Sequence, residues 1–257
     1  MEEKTHPKRD SRDAQSSHAA AHGRGAAGAR GSKGGEQTLP FSEARAYYDR
    51  FGAKQDSQAF YEDPPLEEMI AHSGFEEARA IFEFGCGTGR LAARLLERHA
   101  SPTATYLGCD LSPVMVSLAR QRLEMFADRA TVVLSEGGVR FPISDRSADR
   151  VVSSYVLDLL SYEEIGEFFR EAHRVLRAGG RLSLVGLAHG TTLPSRVVTS
   201  LWTAVFRLRP SLVGGCRPLR LDPFLDQAYW QIERRQILAP FGVASEVLIL
   251  TRRDMQG

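Results

Sequence analysis

The stretch Glu83-Phe84-Gly85-Cys86-Gly87-Thr88-Gly89 decides the fold, because it joins an apolar run to an amphipathic one. Residues 78–85, ARAIFEFG, are predicted to form a strand, and residues 88–99 a helix. The glycines permit a tight turn that a ligand can approach closely. The start of the helix presents free N–H groups and a positive dipole end, which suit a carboxylate or a phosphate. The stretch therefore predicts a ligand-binding turn.

An acidic residue follows this loop at an informative distance. Asp110 ends the next apolar run, ATYLGCD at residues 104–110, and stands about twenty residues after the last glycine of the loop. A carboxylate at that place can accept hydrogen bonds from both hydroxyls of a ribose. A dinucleotide fingerprint would require a further glycine at position 90, where the chain has Arg90. The pair predicts a nucleoside ligand other than NAD.

Strand and helix patterns alternate along the chain from this loop onward. Further strands are predicted at residues 104–110, 130–136, 148–157 and 181–187, with helices at 113–126 and 162–176 between them. Two more strand patterns, at 229–238 and 244–253, are separated by a short connection with Pro240 and Gly242. The prediction is an α/β, doubly wound, Rossmann-like sheet of seven mostly parallel strands with an antiparallel C-terminal hairpin.

Local signals predict where the other helices begin and end. The segment FSEARAYYDRFG, residues 41–52, is expected to be a helix started by Ser42 and broken by Gly52. A second helix is expected to have Pro64 and Pro65 at its entrance and Gly74 at its exit. Gly179 and Gly180 are expected to stop the helix at 162–176, and residues 191–210 to form a helix with a broad apolar face.

Composition limits the classes of protein to which the chain can belong. Its 257 residues are 42% hydrophobic, which is enough for a substantial core. The formal net charge of +1 gives no global basic field, so nucleic acid is not expected as the main partner. The sequence lacks an apolar run long enough to span a membrane. Cys86, Cys109 and Cys216 are an odd number without metal-ligand spacing, which suits a reducing compartment and predicts no metal site.

Residues 1–38 differ from the rest in composition. They are rich in Ala, Gly, Ser, Arg, Lys and His, and they cannot bury enough apolar surface to offset their ordering entropy. We expect a disordered tail at 1–38, either simply solvated or in weak contact with nucleic acid or anionic lipid. A catalytic domain is expected at 39–257. The tail lacks the apolar centre of a secretory signal, and its acidic residues argue against a transit peptide.

The loop and Asp110 together resemble motif I and the ribose-binding acid of class I S-adenosylmethionine-dependent methyltransferases, which have an acid two residues before a G-x-G-x-G run. The segments FPISDRSADRVVSSYVLDLL and AHRVLRAGGRLSL are similar to later parts of that family, and the whole is similar to ubiquinone/menaquinone methyltransferase-like, type 11 domains. The resemblance covers residues 40–190 and the closing hairpin at 225–253.

The resemblance implies S-adenosylmethionine as co-substrate and a set of residues that hold it. Glu83 would help to hold the methionine amino group, Gly85 and Gly87 would lie along the methionine moiety, and Asp110 would bind the ribose. Met115 is a candidate for packing on the adenine, and Glu136 for replacing the family's contact to the adenine amino group. The implied set comprises Glu83, Gly85, Cys86, Gly87, Thr88, Gly89, Asp110, Leu111, Met115, Glu136 and Gly137.

Candidate catalytic residues are those expected at the carboxyl ends of the fourth and fifth strands. His189 is the candidate general base because its ordinary pKa is near neutral, with a structural histidine as the alternative. Asp158 is a candidate for orienting an amine or hydroxyl, or else caps its loop. Tyr155 lines the site, or else packs in the core.

Two flanking segments are candidates for shaping the acceptor site. The helix with Tyr47, Tyr48 and Phe51 either folds over the co-substrate as a lid or packs on the sheet edge. Residues 191–225 are an insertion expected on the acceptor side, where Arg217 is a candidate partner for an anionic acceptor and Cys216 is expected to be an inert buried thiol. Residues 195–209 are a candidate for peripheral membrane contact, although such a stripe is more often core.

The sequence therefore predicts a cytoplasmic S-adenosylmethionine-dependent methyltransferase that acts on a small, lipophilic acceptor through an O, N or C atom. One alternative is a phospholipid-amine N-methyltransferase at a membrane surface. Another is an S-adenosylmethionine-binding protein without catalysis. The expected partner is a small-molecule acceptor, and the oligomeric state is left open.

Overall fold

The computed structural model describes residues 38–254 of the chain. The predicted disordered tail at 1–38 lies outside the described residues, apart from Thr38 at its end. Within the described part of the chain, no helix combines the length and the apolar character that crossing a membrane requires.

Six helices and seven strands make up the framework of residues 38–254. The helices are α1 (Phe41–Phe51), α2 (Ala59–Ser73), α3 (Arg90–Arg98), α4 (Pro113–Arg122), α5 (Tyr162–Val175) and α6 (Leu193–Leu208). The strands are β1 (Ala80–Phe84), β2 (Thr105–Asp110), β3 (Ala130–Leu134), β4 (Ala148–Ser154), β5 (Leu176–Leu187), β6 (Trp230–Leu238) and β7 (Ser245–Arg252). Short 3-10 turns connect several of them, including Gly52–Gln58 between α1 and α2.

The strands form one sheet in the order β3-β2-β1-β4-β5-β7-β6. Strands β1 to β5 pair in parallel, β7 runs antiparallel to β5, and β6 runs antiparallel to β7 at the edge. The predicted fold, a doubly wound and mostly parallel seven-stranded sheet with an antiparallel C-terminal hairpin, is confirmed. In such a sheet the order reverses beside β1, which places a ligand crevice at the carboxyl ends of β1, β2 and β4.

Two apolar cores lie on opposite faces of the sheet. Because strand side chains alternate between faces, Phe82 of β1 joins the core that contains α5, whereas its neighbour Ile81 joins the core of α2, α3 and α4. The same alternation along β7 places Leu248 in the first core and Ile249 in the second. Both faces of the central strands are therefore covered, as a parallel sheet requires.

Several predicted helix ends differ from the structure. Helix α1 begins at Phe41 rather than at Ser42, and α2 begins at Ala59, so that Pro64 and Pro65 lie inside it. Proline lacks an amide hydrogen, and this pair interrupts the hydrogen bonding of α2 without ending the helix. Gly179 and Gly180 do not stop α5, which already ends at Val175; they belong to β5, where the pairing with β4 is irregular.

Helix α6 forms where it was predicted, but its apolar face is not buried as a whole. Phe206 is buried, whereas Val197 and Leu201 are exposed. The polar residues Ser195 and Thr199 are buried on the inner side. The expectation of an apolar stripe facing the core is therefore wrong for much of this helix.

Phe168 of α5 offers a test of the first core, since it is fully buried and its ring contacts Phe84, Phe141 and Phe169. We expect Phe168→Ala to lower the free energy of unfolding by about 3–5 kcal/mol, because the cavity it leaves adds to the lost apolar burial. Urea unfolding would measure this. The exposed Met125→Ala is the control and should change stability by less than about 0.5 kcal/mol. Equal effects of the two substitutions would contradict this packing.

Candidate functional site

The glycine loop after β1 has the backbone conformation that glycine alone adopts easily. Gly85, Gly87 and Gly89 all have positive φ angles, of 75°, 52° and 75°. A side-chain carbon at Gly85 would lie 2.3 Å from Val156 Cγ2, and one at Gly89 would lie 3.0 Å from the backbone of Ala119. The loop is therefore packed too closely on both sides for other residues, and Gly89 is the N-cap residue that precedes α3.

Asp110 is bound to this loop through its carboxylate. The Gly87 N–H donates to Asp110 Oδ2, and the Ser112 N–H donates to Asp110 Oδ1, each over 2.9 Å. Burial raises the pKa of Asp110, and these two amides act in the opposite direction. A carboxylate oxygen has more than one lone pair, so each oxygen can accept a further hydrogen bond from a ligand hydroxyl.

A cavity of about 240 Å³ opens between the loop and Asp110, at the carboxyl ends of β1, β2, β3 and β4. Seven of the predicted site residues line it. These are Gly85, Gly87, Asp110, Leu111, Met115, Gly137 and Tyr155. The buried Met115 and the backbone at Gly137 stand at the β2 and β3 side of the cavity.

Four other predicted residues belong to the motif but do not line the cavity. Glu83 is buried, and its Oε2 accepts a hydrogen bond from Tyr106 Oη at 2.7 Å. Burial raises the pKa of Glu83 to about 8. Cys86 is buried, Thr88 donates to Asp56 Oδ1 at 2.7 Å, and Gly89 packs on α4. Glu83 lies in β1, and Cys86, Thr88 and Gly89 form part of the loop; none of the four lines the cavity.

The remaining predicted residues lie elsewhere. Glu136 is exposed beside the cavity wall, which is formed there by Ser135, Gly137 and Gly138. His189 is exposed and lines a separate cavity with Arg220 and Asp222. Partial burial, followed by the charge of Arg220, lowers the pKa of His189.

Asp158 is buried just after β4 and holds the end of β5. Its Oδ2 accepts from the Leu187 N–H at 2.9 Å, while its Oδ1 lies against Gly186 and has no hydrogen-bond partner among residues 38–254. Burial raises the pKa of Asp158 to about 7. Arg217, considered above for an anionic acceptor, is buried and donates to the carbonyls of Asp158 and Leu160.

The N-terminal elements cover the cavity. Phe41, Ala44, Arg45 and Tyr48 of α1 line it, and so does Gln55 of the following 3-10 turn. Gln55 Oε1 is buried without a hydrogen-bond partner among the described residues, and a side-chain carbon at Gly87 would lie 3.0 Å from it. Gln55 is not among the residues predicted from the sequence, because a single polar residue in a polar segment gives no signal before the chain is folded.

Hydrogen bonds and ion pairs connect these covering elements, α1 to α2, to the glycine loop and its neighbours. Ser112 Oγ donates to Asp49 Oδ1 at 2.5 Å, and Arg122 pairs with Asp56 at 2.6 Å. Arg90, the residue that breaks the dinucleotide pattern, forms ion pairs with Glu62 and Asp63 of α2. The cover and the glycine loop thus belong to one polar network.

Two tyrosines stand at the β4 side of the cavity. Tyr155 has a positive φ of 55°, and its hydroxyl lies 3.0 Å from Ser245 Oγ. Tyr48 Oη lies 3.8 Å from Cys216 Sγ. Burial raises the pKa of both tyrosines, and it raises the pKa of Cys216 to about 12, so the thiol stays protonated.

Comparison with known proteins points to one family. Residues 81–180 match the model of a methyltransferase domain. The chain is 26% identical over 151 residues to the tRNA N(3)-methylcytidine methyltransferase Mettl2 of Drosophila melanogaster, covering 55% of this chain and 46% of the relative. It is 32% identical over 142 residues to the demethylmenaquinone methyltransferase of Deinococcus radiodurans, covering 55% and 52%. The chain spans about half the length of these curated relatives.

A solved structure agrees in fold. Geranyl diphosphate methyltransferase in complex with GPP and sinefungin superposes with a TM-score of 0.62 at 14% identity, over 84% of this chain and 100% of that one. At this identity the likeness concerns the fold.

The buried carboxyl of Glu83 should make stability depend on pH. With its pKa raised to about 8, the folded state binds more protons than the unfolded state above the ordinary glutamate pKa, so stability should fall as pH rises from about 5 to about 8. We expect Glu83→Gln to flatten this slope in urea unfolding at several pH values. The exposed Glu136→Gln should leave this pH dependence unchanged. An unchanged slope in Glu83→Gln would contradict a raised pKa of Glu83 in the folded state.

Proposed function

We propose that the chain transfers the methyl group of S-adenosylmethionine to a small, lipophilic acceptor, in keeping with the methyltransferase domain that residues 81–180 match. The observation that carries the proposal is the cavity between the glycine loop and Asp110, which combines apolar walls with polar side chains such as Gln55, Asp110 and Tyr155. Such a site is typical of small-molecule recognition.

The residues around the cavity fit the two ends of this co-substrate. Asp110 would accept hydrogen bonds from the ribose hydroxyls, and Met115 would pack against the adenine. Gln55 Oε1 is a buried acceptor that lacks a donor among residues 38–254, and it faces Gly87. An ammonium group supplies such a donor, so we assign Gln55 to the methionine amino group.

Positioning and exclusion of water are the main tasks left to the chain. S-adenosylmethionine supplies a methyl group that its sulfonium already activates. Helix α1 covers the cavity and would keep water away from the transfer. Because burial raises the pKa of Tyr48 and Tyr155, these hydroxyls would orient an acceptor by hydrogen bonding rather than remove its proton.

The lining at the acceptor end of the cavity favours a lipophilic acceptor with a polar reacting group. Leu39, Phe41, Val156 and Leu159 supply apolar walls, and polar side chains line the same cavity, including Arg45, Ser161 and Glu164. His189 and Asp158 do not line this cavity, so we propose Tyr155 as the acceptor-facing member of the three predicted catalytic residues. A screen of quinols, phenols and amines, with analysis of the methylated products, would identify whether O, N or C is methylated.

Two other acceptor classes are less well supported. The relatives described above include no phospholipid-amine methyltransferase. The similarity to a tRNA methyltransferase concerns about half of each chain, and the net charge of +1 provides no global basic field for RNA.

We also propose a cytoplasmic location, since Cys86, Cys109 and Cys216 are all free thiols.

Replacing Asp110 should weaken binding of the adenosine part of the co-substrate. We expect Asp110→Asn to raise the Kd for S-adenosylhomocysteine by about 10- to 100-fold, because hydrogen bonds to a charged group contribute about 1.5–3 kcal/mol. Isothermal titration calorimetry would measure this. The exposed Asp128→Asn is the control. Failure of the wild-type protein to bind S-adenosylhomocysteine would refute the proposed function.

Replacing Gln55 should affect only the amino-acid end. Methylthioadenosine has the adenosine part of S-adenosylhomocysteine but lacks its amino and carboxyl groups. We expect Gln55→Leu to raise the Kd for S-adenosylhomocysteine by about fivefold and leave that for methylthioadenosine unchanged. Asp110→Asn should weaken both ligands. Equal weakening of both by Gln55→Leu would mean that Gln55 supports the fold of the cover instead.

A further inference from the structure

Helix α6 turns an apolar face away from the protein. Leu193, Val197, Leu201 and Leu208 are between 65% and 86% exposed. Their spacings of four, four and seven residues place them in one row along the helix. The opposite side carries Ser195, Thr199 and Phe206, which are buried. The row is therefore not the packing face of α6.

The turn between β6 and β7 extends this row on one side. A side-chain carbon at Gly242 would lie 2.9 Å from Val198 Cγ2, so the turn packs directly on α6. Its neighbour Phe241 is 78% exposed and has a φ of 51°, which is unfavourable for an aromatic residue. The Phe241 ring packs against the exposed ring of Phe60, with the two ring centroids 5.4 Å apart. An aromatic residue held outward in a strained conformation adds to the same apolar surface.

Positive charge borders the other side of the row. At 100° per residue, Arg196 and Arg207 fall next to each other on the helix, beside the row and away from Val198. Both are exposed, and Arg209 follows directly after the helix. Residues 191–221 contain no Asp or Glu. The chain thus presents apolar side chains next to arginines without acidic residues in the same segment.

We propose that this docking surface, formed by the outward row of α6 with Phe241 and flanked by Arg196 and Arg207, binds an anionic lipid bilayer. Exposed leucine and phenylalanine side chains would enter the acyl boundary while the arginines contact the lipid phosphates. A second copy of the chain fits less well, because a symmetric contact would bring the arginines of both copies together with no acidic residue in this segment to pair with them.

The docking surface is connected to the acceptor end of the cavity. Trp202 of α6 donates from Nε1 to the Cys216 carbonyl at 2.9 Å, and Cys216 contacts Tyr48, which lines the cavity. Docking would therefore bring the acceptor end close to the bilayer, so that a lipophilic acceptor can enter from the lipid phase. This last step rests on the proposed function; docking itself does not.

Vesicle sedimentation with the full chain tests docking. We expect binding to phosphatidylcholine vesicles that contain phosphatidylglycerol, and weak binding to phosphatidylcholine alone. Leu201→Glu should weaken binding by about tenfold, since it removes an inserted side chain and adds negative charge. Arg196→Gln with Arg207→Gln should weaken it by a factor on the order of ten at low salt. Met125→Glu, an exposed residue just before β3, is the matched control and should bind like the wild type.

Three outcomes would overturn the docking proposal. They are absence of wild-type binding to anionic vesicles, wild-type binding by Leu201→Glu, and a wild-type dimer that Leu201→Glu converts to a monomer in sedimentation velocity. Titration with S-adenosylhomocysteine separates this result from the proposed function, because none of the substituted residues lines the cavity. Each variant should bind that ligand like the wild type, which also shows that it is folded.

Discussion

The hydrogen bond from the Gly87 N–H to the Asp110 carboxylate joins the two parts of the chain that define the candidate site. It connects the turn after β1 with the end of β2, which are adjacent parallel strands. The second oxygen of Asp110 accepts from Ser112, the residue that caps α4. One carboxylate therefore orders the starts of two helices around a single cavity. A ligand that donates hydrogen bonds to this carboxylate therefore binds to a preorganised site.

The cover over the cavity depends on the same region. Asp49 of α1 accepts from the Ser112 hydroxyl, and Asp56 accepts from Thr88 in the glycine loop and pairs with Arg122. Loss of order in the loop would therefore release the elements that exclude water from the site. This arrangement also brings Gln55 against Gly87. The binding site and its cover are consequently one structural unit rather than a rigid sheet with an independent lid.

The sequence predicted the sheet, and seven of its fourteen candidate site residues line the cavity beside the glycine loop, for identifiable reasons. Asp110 and the glycine loop are short-range signals, because their positions follow directly from strand-to-helix turns. His189 was expected near the glycine-loop cavity because it follows the end of β5. It lines a separate cavity instead, together with Arg220 and Asp222. Gln55 was not predicted, and for residues 195–209 the sequence left open both membrane contact and burial in the core, since burial and exposure of such residues depend on long-range packing. The unexpected exposure of Leu201 on α6 likewise depends on long-range packing.

A crystal structure with S-adenosylhomocysteine would test the central claim most directly. We expect the ribose hydroxyls within hydrogen-bond distance of Asp110, and the amino group of the amino-acid end within hydrogen-bond distance of Gln55 Oε1. Such a structure would place the ligand in the cavity beneath α1. A ligand bound elsewhere on the chain, or a cavity that stays empty at saturating ligand, would contradict the account.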